Sequence, residues 1–250
     1  EHPTRRSDYS HQAHDRDLQA ARTLYTGNYL FDARALDAFI PFARLKLRMA
    51  GPVMGRLLRA ELGARFRSAN LPLLHQRTVA TIGRSECRPG IEHSERGIDL
   101  SGEFERQFWG DVMLFTIERL IEQGYPRQPL ESAEVEAQLI EIETMLRRRY
   151  HERQQQILAA LPPLEALCRS EREWWHQRPD AESARADLER FIEALRANFG
   201  ATAPGYQALN NPASRQSHRQ RLRDAILSYP LDRQAWQAVL TRLPAARSPW

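Results

Sequence analysis

Hydrophobic positions are spaced differently in the two parts of the chain. From residue 101 onward, apolar residues recur at helical intervals over long stretches, which is the spacing of amphipathic helices. Before residue 100 the apolar runs are short, and prolines and glycines interrupt them often. The pattern predicts a mainly α protein. A partial α/β N-terminal region (residues 1–100) would precede an antiparallel, bundle-like helical domain (residues 101–250).

The C-terminal part is expected to contain several helices with short connections. Ser101 can cap the first, because its hydroxyl can accept a hydrogen bond from a free backbone amide. The second is expected to end at Pro162 and Pro163, since proline has no amide hydrogen with which to continue a helix. Asp180 can cap a later helix, which Gly200 ends. The expected spans are about residues 102–123, 132–161, 164–176, 181–199, 215–228 and 232–243.

The N-terminal region is expected to contain short elements of both kinds. Asp32 can cap a short helix that reaches about Phe39. Pro52 suits the first turn of another helix, which ends at Gly63. Short extended segments are expected around these helices. They are residues 24–25, 29–31, 66–68, 73–75 and 79–82.

The chain is mildly basic, and the excess of positive charge belongs to the N-terminal region. The whole chain carries +4, whereas residues 1–100 hold 16 basic and 11 acidic side chains. An anionic partner is therefore expected at the N-terminal region. Nucleic acid is not expected, because the basic residues are not interleaved with stacking aromatics. Of the 36 basic residues only Lys46 is a lysine, a bias expected of a GC-rich bacterial genome.

The sequence lacks the motifs of several common chemistries. It contains no Gly-x-x-x-x-Gly-Lys-Ser/Thr loop, no Gly-x-Gly-x-x-Gly, no His-Glu-x-x-His and no Gly-x-Ser-x-Gly. No apolar run approaches the roughly 20 residues that span a bilayer, and no signal-peptide pattern opens the chain. A cytoplasmic location is therefore predicted. Because the first residue is Glu1 and not Met, we expect a processed product or a piece of a longer protein.

Three residues are candidate ligands for a divalent cation, Mn²⁺ or Mg²⁺. Asp15 and Asp17, in the stretch SHQAHDRD, are two positions apart and would project to the same side of an extended segment. Carboxylate oxygens suit hard cations, and the neighbouring histidines would favour Mn²⁺ or Zn²⁺. His75 follows a run typical of a buried strand, and its imidazole can ligate a metal or transfer a proton. The alternatives are a helix-capping loop for the two aspartates and an ordinary surface histidine for His75.

A tight turn and a basic stretch supply candidate substrate-binding residues. Gly27 and Asn28, in TLYTGNYLF, tolerate positive φ, so their turn could bring backbone amides close to a ligand or simply join two strands. Between residues 44 and 67 there are seven basic residues and one acidic residue. Arg48 and Arg56 in this stretch are candidates because guanidinium groups bind phosphate. The stretch could equally contact an anionic membrane surface or form a solvated helix face.

Two segments, TLYTGNYLF and AGPVMGRLLRAELGARFRSANLPLLHQRT, together resemble the later half of a nucleotide-diphospho-sugar (GT-A) glycosyltransferase domain of the family-2 sort. The resemblance covers about residues 15–85. It implies that Gly27 and Asn28 lie on the acceptor side of the cleft and that His75 completes the metal site. The stretch Asp15-Arg16-Asp17 has the form of the Asp-x-Asp metal motif, which stands earlier in the family.

The resemblance implies metal-assisted transfer of a sugar from a nucleotide sugar to an unknown acceptor. The chain would be part of such a glycosyltransferase, with an appended helical domain and with Arg48 and Arg56 facing phosphate. No catalytic base is assigned, because this chain reads GPV where the family has an acidic pair. The alternative is a non-enzymatic helical adaptor or scaffold. Its basic N-terminal region would dock on an acidic protein partner or on a membrane surface, at a peripheral location.

Overall fold

The fold is mainly helical, as the sequence predicts. The structure is a computed structural model and describes residues 18–24, 29–32, 35–36, 42, 45–69, 92–94, 97–99 and 101–242. Helices occupy most of this part, and its strands are only two or three residues long. The predicted mainly α fold, with a small β contribution near the N-terminus, is therefore confirmed.

The described part of the chain contains six α-helices and two short strand pairs. The helices are α1 (Ala50–Leu62), α2 (Ser101–Glu122), α3 (Ser132–Arg169), α4 (Glu182–Phe199), α5 (Pro204–Asn210) and α6 (Pro212–Arg242). The antiparallel strand pairs are β1 (Gln19–Ala20) with β2 (Arg67–Ser68), and β3 (Glu92–Ser94) with β4 (Gly97–Asp99). The first pair brings the segment before α1 next to the residues that follow it.

Helices α2 and α3 pack antiparallel, as the short connection between them predicts. Arg119, near the end of α2, pairs with Glu141, near the start of α3, at 2.7 Å. Further from the connection, the hydroxyl of Tyr150 donates to Oδ2 of Asp111 at 2.5 Å. The two contacts lie in opposite order along the two helices, which establishes the antiparallel arrangement.

Helix α6 runs parallel to α2 and closes the core. His218 contacts Glu105 in the first turns of α2, and the hydroxyl of Tyr125, just after α2, donates to the carbonyl of Ile226. The centre of the bundle is filled by large apolar side chains from these three helices, each less than 2% exposed. They include Trp109, Tyr229, Phe108, Ile117, Leu120, Leu139, Leu222 and Ile226.

Helix α1 belongs to the same hydrophobic core as the C-terminal helices. Val53 and Leu57 are buried in one cluster with residues of α2, α3 and α6. Gly110 permits the close approach, since a Cβ atom there would lie 2.4 Å from the carbonyl oxygen of Arg48. The core thus extends across position 100, which is the predicted domain boundary; the division itself stays a prediction.

Two expected helix ends are absent because prolines are accommodated inside helices. Helix α3 continues through Pro162 and Pro163 to Arg169, so the prediction of a break at this point was wrong. Leu161 and Cys168, on either side of the two prolines, are both buried against α4 together with Ile192. Because this packing holds the chain on both sides of the prolines, the lost amide hydrogen bonds do not end the helix.

Helix α6 shows the same effect at Pro230. The two short helices expected at about 215–228 and 232–243 form one helix. Tyr229 is buried before the proline, and after it the indole Nε1 of Trp236 donates to the carbonyl of Leu36 at 2.6 Å. A further helix, α5, occupies part of the expected loop between residues 200 and 213.

Glycine positions predicted helix ends more reliably than proline positions did. Helix α1 ends at Leu62 and is followed by Gly63, whose φ of +54° favours glycine. Helix α4 ends before Gly200, whose backbone N–H donates to the carbonyl of Arg196 at 2.8 Å. The expected cap Asp180 instead lies within a 3₁₀ turn and pairs with Arg178.

Candidate functional site

The predicted metal ligands and the predicted turn lie outside the described residues. They are His75, Asp15, Asp17, Gly27 and Asn28. Within the described part of the chain, no group of three or more His, Cys, Asp or Glu side chains is placed to hold a metal ion. The cation site therefore stays a prediction, and of the predicted site residues only Arg48 and Arg56 have a described position.

Arg48 lies against the first turns of α2. Its Nε is 2.6 Å from Oε1 of Glu103, and its backbone N–H donates to the carbonyl of Arg106 at 3.3 Å. Arg106 contacts the same glutamate through Nη1 at 2.8 Å and donates from Nε to the carbonyl of Lys46. The charge of Glu103 is thus divided between two guanidinium groups, which fix the chain entering α1 onto α2.

Arg56, a residue of α1, lies against α2 and the segment that precedes the predicted turn. Only 12% of its side chain is exposed. Its Nη1 donates to the carbonyl of Arg22 at 3.2 Å, and its Nε lies 3.7 Å from Oε1 of Glu118. Burial lowers the pKa of Arg56; Glu118 opposes this effect, whereas the positive charges of Arg22 and Arg59 add to it.

The two predicted substrate-binding arginines lie at separate places along α2. Arg48 pairs with Glu103, and Arg56 approaches Glu118. Since an α-helix rises 1.5 Å per residue, the two glutamates are roughly 22 Å apart along the helix axis. A single phosphate group cannot contact both arginines.

A charged network that the sequence analysis did not identify joins α3 to α6. Glu143 has 1% of its side chain exposed and contacts Arg215 and Arg219, the latter at 2.5 Å. Arg219 and Arg223 also contact Glu136, at 3.2 Å and 3.4 Å. The sequence did contain a signal for this network. Glu136 and Glu143 are seven positions apart, so both lie on the apolar face of α3, where a carboxylate needs a partner of opposite charge. Opposite charges are paired throughout, so we assign this network a structural role.

A titratable contact lies at the first turns of α2. Nε2 of His218 is 2.8 Å from Oε1 of Glu105, and the hydroxyl of Ser214 donates to the same oxygen at 3.4 Å. The imidazole of His218 stacks on the indole of Trp109, with ring centroids 4.7 Å apart. The hydrogen bond from His218 lowers the pKa of Glu105, although burial opposes the shift. Protonation of Glu105 would therefore weaken a contact between α2 and α6.

Tyr125 and Tyr150 serve as neutral hydrogen-bond donors inside the bundle. Burial raises the pKa of Tyr125. Burial and the hydrogen bond to Asp111 together raise the pKa of Tyr150. Burial also raises the pKa of Tyr206 to about 12. None of these phenols ionises near neutral pH, so none is a candidate base.

A small cavity lies between the second half of α3 and α4. Its volume is about 180 Å³, below the range of roughly 300–1,000 Å³ that is usual for ligand pockets. Glu165 on its wall pairs with Arg196, and Cys168 is buried behind it. The other lining residues are Arg169, Glu189, Ile192 and Glu193. A nucleotide sugar does not fit in this space.

These features define the described part of the chain as a helical bundle with paired internal charges. Comparison of the chain with known protein families, with curated protein sequences and with solved structures found no match. None of the described helices is both long enough and apolar enough to cross a membrane.

Proposed function

We propose that the chain is part of a sugar-nucleotide-dependent glycosyltransferase whose helical bundle holds the substrate-facing N-terminal segment in place. The proposal combines the resemblance of residues 15–85 with one structural observation. That observation is the direct contact between residues 22–24, which precede the predicted Gly27–Asn28 turn, and the backbone of α1.

The contact depends on two glycines of α1. The backbone N–H of Leu24 donates to the carbonyl of Gly51 at 3.2 Å. A Cβ atom on Gly51 would lie 2.0 Å from the carbonyl oxygen of Leu24, and one on Gly55 would lie 2.6 Å from that of Arg22. No side chain separates the two backbones, so residues 22–24 have a defined position three residues before the predicted turn.

Helix α1 is itself fixed at its C-terminal end. Nη2 of Arg127 donates to the carbonyls of Ala60 and Glu61 at 3.0 Å and 3.2 Å, which suits a cation at a helix C-terminus. Arg233 of α6 contacts the Glu61 carboxylate at 2.6 Å. A turn that follows the fixed residues 22–24 would hold its backbone amides in a reproducible position. Recognition of an acceptor requires such a fixed geometry.

The proposed chemistry is transfer of the sugar to an acceptor hydroxyl. A divalent cation, when bound, would neutralise the diphosphate leaving group. His75, Asp15 and Asp17 would hold it, because one imidazole and two carboxylates are a donor set that suits Mn²⁺. The chain's own contribution would be the predicted turn and the cationic surface around Arg56, which favours an anionic substrate.

The experiment that tests this function is a thermal-shift panel on the full chain. Nucleoside diphosphate sugars would be added with Mn²⁺ or with EDTA. A ligand at about 100 times its dissociation constant stabilises by roughly 2.7 kcal/mol, which raises Tm by about 5–10 °C in a chain of this size. We expect such a rise with one sugar nucleotide, and only with the metal.

The matched variants are His75→Ala and His151→Ala. The first should abolish the metal-dependent rise, whereas His151 is an exposed residue of α3 and its variant should retain it. If no sugar nucleotide shifts the Tm, the transferase proposal fails for this chain. A shift that EDTA leaves intact would remove the metal from the proposal.

A second candidate function is the helical adaptor, and the exposed cations of the N-terminal region favour it. Lys46, Arg59, Arg65 and Arg67 are all exposed to solvent. An acidic partner or an anionic membrane surface would bind them through screened charges. Binding that is unaffected when the salt concentration rises from 50 to about 500 mM would exclude this mode, since the Debye length falls to a few ångströms in that range.

A further inference from the structure

Three arginines converge at the junction of α1, α2 and the segment before α1. This arginine cluster comprises Arg22, Arg56 and Arg59. Arg56 lies at its centre, bonded through Nη1 to the carbonyl of Arg22, and Arg59 is one helical turn further along α1. Arg22 and Arg59 are both exposed, so the cluster is open to solvent on one side.

The cluster carries more positive than negative charge. Glu118 is the carboxylate that Arg22 and Arg56 share. Within the described part of the chain, no carboxylate lies within 4 Å of Arg59. Arg22 and Arg56 share Glu118, and Arg59 acts on Arg56 as a further positive charge. The three arginines and Glu118 together therefore carry an excess of two positive charges. Repulsion from the positive charges of Arg22 and Arg59 contributes to the lowered pKa of Arg56, although burial has the larger effect.

Glu118 is a poor hydrogen-bond partner for the arginines that share it. Its Oε1 lies 3.5 Å from Nη2 of Arg22 and 3.7 Å from Nε of Arg56. Hydrogen bonds between N–H and O are usually about 2.7–3.2 Å long. The Nε of Arg56 is accordingly buried without a hydrogen-bond acceptor. The network between α3 and α6 differs, since Arg219 reaches Glu143 at 2.5 Å.

We propose that the arginine cluster binds a phosphate-type dianion beside Glu118. Guanidinium groups match the oxygen geometry of phosphate, and a dianion balances the excess charge. Such a group could come from the diphosphate of a soluble nucleotide or from the headgroup of an anionic lipid. The site does not depend on glycosyl transfer. Inorganic pyrophosphate has the same phosphate oxygens and at least two negative charges near neutral pH, so it should occupy the site without a sugar or an acceptor.

The test is a calorimetric titration of the full chain with pyrophosphate at low ionic strength. Wild type should bind saturably, and Arg59→Gln should weaken binding about three- to tenfold, as expected for loss of one charge at close range. Glu118→Gln should tighten binding by a similar factor, because it removes the competing negative charge. A gain in affinity cannot arise from a folding defect.

The matched control is Arg149→Gln. Arg149 is exposed on α3, outside the cluster and outside the N-terminal region, and its variant changes the net charge of the chain by the same amount as Arg59→Gln. Unchanged binding by this control supports a built site. Equal weakening by both variants, or the absence of saturable binding by wild type, would overturn the proposal.

Vesicles distinguish the two sources of the phosphate group. Binding to phosphatidic acid vesicles, weakened by Arg59→Gln and exceeding the affinity for pyrophosphate, would assign a lipid headgroup to the cluster. Preference for soluble pyrophosphate would assign a nucleotide-like ligand. If pyrophosphate binds while every sugar nucleotide fails in the thermal-shift panel, the anion site stands and the transferase proposal falls.

Discussion

Glu143 is the most completely buried charge among the described residues. Removing a carboxylate from water is costly, so its position depends on both arginines that contact it, Arg215 and Arg219. These arginines are four positions apart on α6 and therefore lie on the same side of that helix. Charge pairing at this place favours a single alignment of α6 against α3.

The first prediction is that Glu143→Ala destabilises the protein by about 3–5 kcal/mol, because it leaves two partly buried arginines without their carboxylate. Urea unfolding would measure the change in the free energy of unfolding. Glu141→Ala is the matched control: Glu141 is 56% exposed, and its pair with Arg119 should contribute less than about 1 kcal/mol. Losses of equal size would show that Glu143 does not depend on its buried pairs.

At the scale of the element, the position of α1 depends on glycines where other backbone segments approach it from two sides. Gly51 and Gly55 let residues 22–24 contact the helix backbone, and Gly110 of α2 lets the chain entering α1 approach from another side. Helix formation by itself disfavours glycine by about 1 kcal/mol relative to alanine. The glycines therefore serve close packing of the backbone and not the stability of the helix.

The second prediction concerns Gly55→Ala, which we expect to cost about 1–3 kcal/mol because the new methyl group would overlap the backbone at Arg22 and Thr23. The midpoint of urea unfolding measures this change. The sign is the decisive result, since an unhindered helical glycine gains stability when replaced by alanine. A stabilised variant would show that residues 22–24 do not rest on α1.

Helices α3 and α4 form a hairpin with a small core of its own. Leu161, Cys168 and Ile192 are each at most 5% exposed, and they form a cluster separate from the main core. This cluster explains why α3 continues through its two prolines. It also means that the hairpin can lose stability while the rest of the bundle stays folded.

The third prediction is that Leu161→Ala costs about 2–5 kcal/mol, the usual range for a buried leucine. Amide hydrogen exchange should rise in α4 and in the second half of α3, with little change in α2 and α6. Leu167 is 43% exposed, so Leu167→Ala should leave exchange nearly unaltered. Faster exchange throughout the bundle would contradict a separate hairpin core.

At the scale of the whole molecule, one core connects α1, α2, α3 and α6, and titratable contacts lie at its edge. Glu105 connects the first turns of α2 to α6 through His218. Its pKa is lowered in the folded protein, so folding favours the ionised carboxylate. The stabilisation is fully present above the ordinary pKa of 4.5 and is lost as the pH falls through the lowered folded value.

The fourth prediction follows from this sign. Wild type should lose stability steadily below about pH 4.5, and Glu105→Gln should show a shallower loss in the same range, because it cannot be protonated. Tm measured from pH 7 down to pH 3 gives both curves. Glu122→Gln, on the same helix, is the charge-matched control and should keep the wild-type slope. Parallel curves for Glu105→Gln and wild type would contradict a role for Glu105.

The sequence by itself determined the mainly helical fold, because apolar residues at helical spacing and glycines at helix ends act locally. Helix α1 could be read from Pro52 to Gly63 for that reason. The tertiary structure decided what depends on contacts between distant residues: the continuation of α3 past Pro162, the pairing of Glu143, and the separation of Arg48 from Arg56. Packing against distant residues decides whether a helix continues past a proline and which opposite charges come together. The local sequence pattern does not specify these contacts.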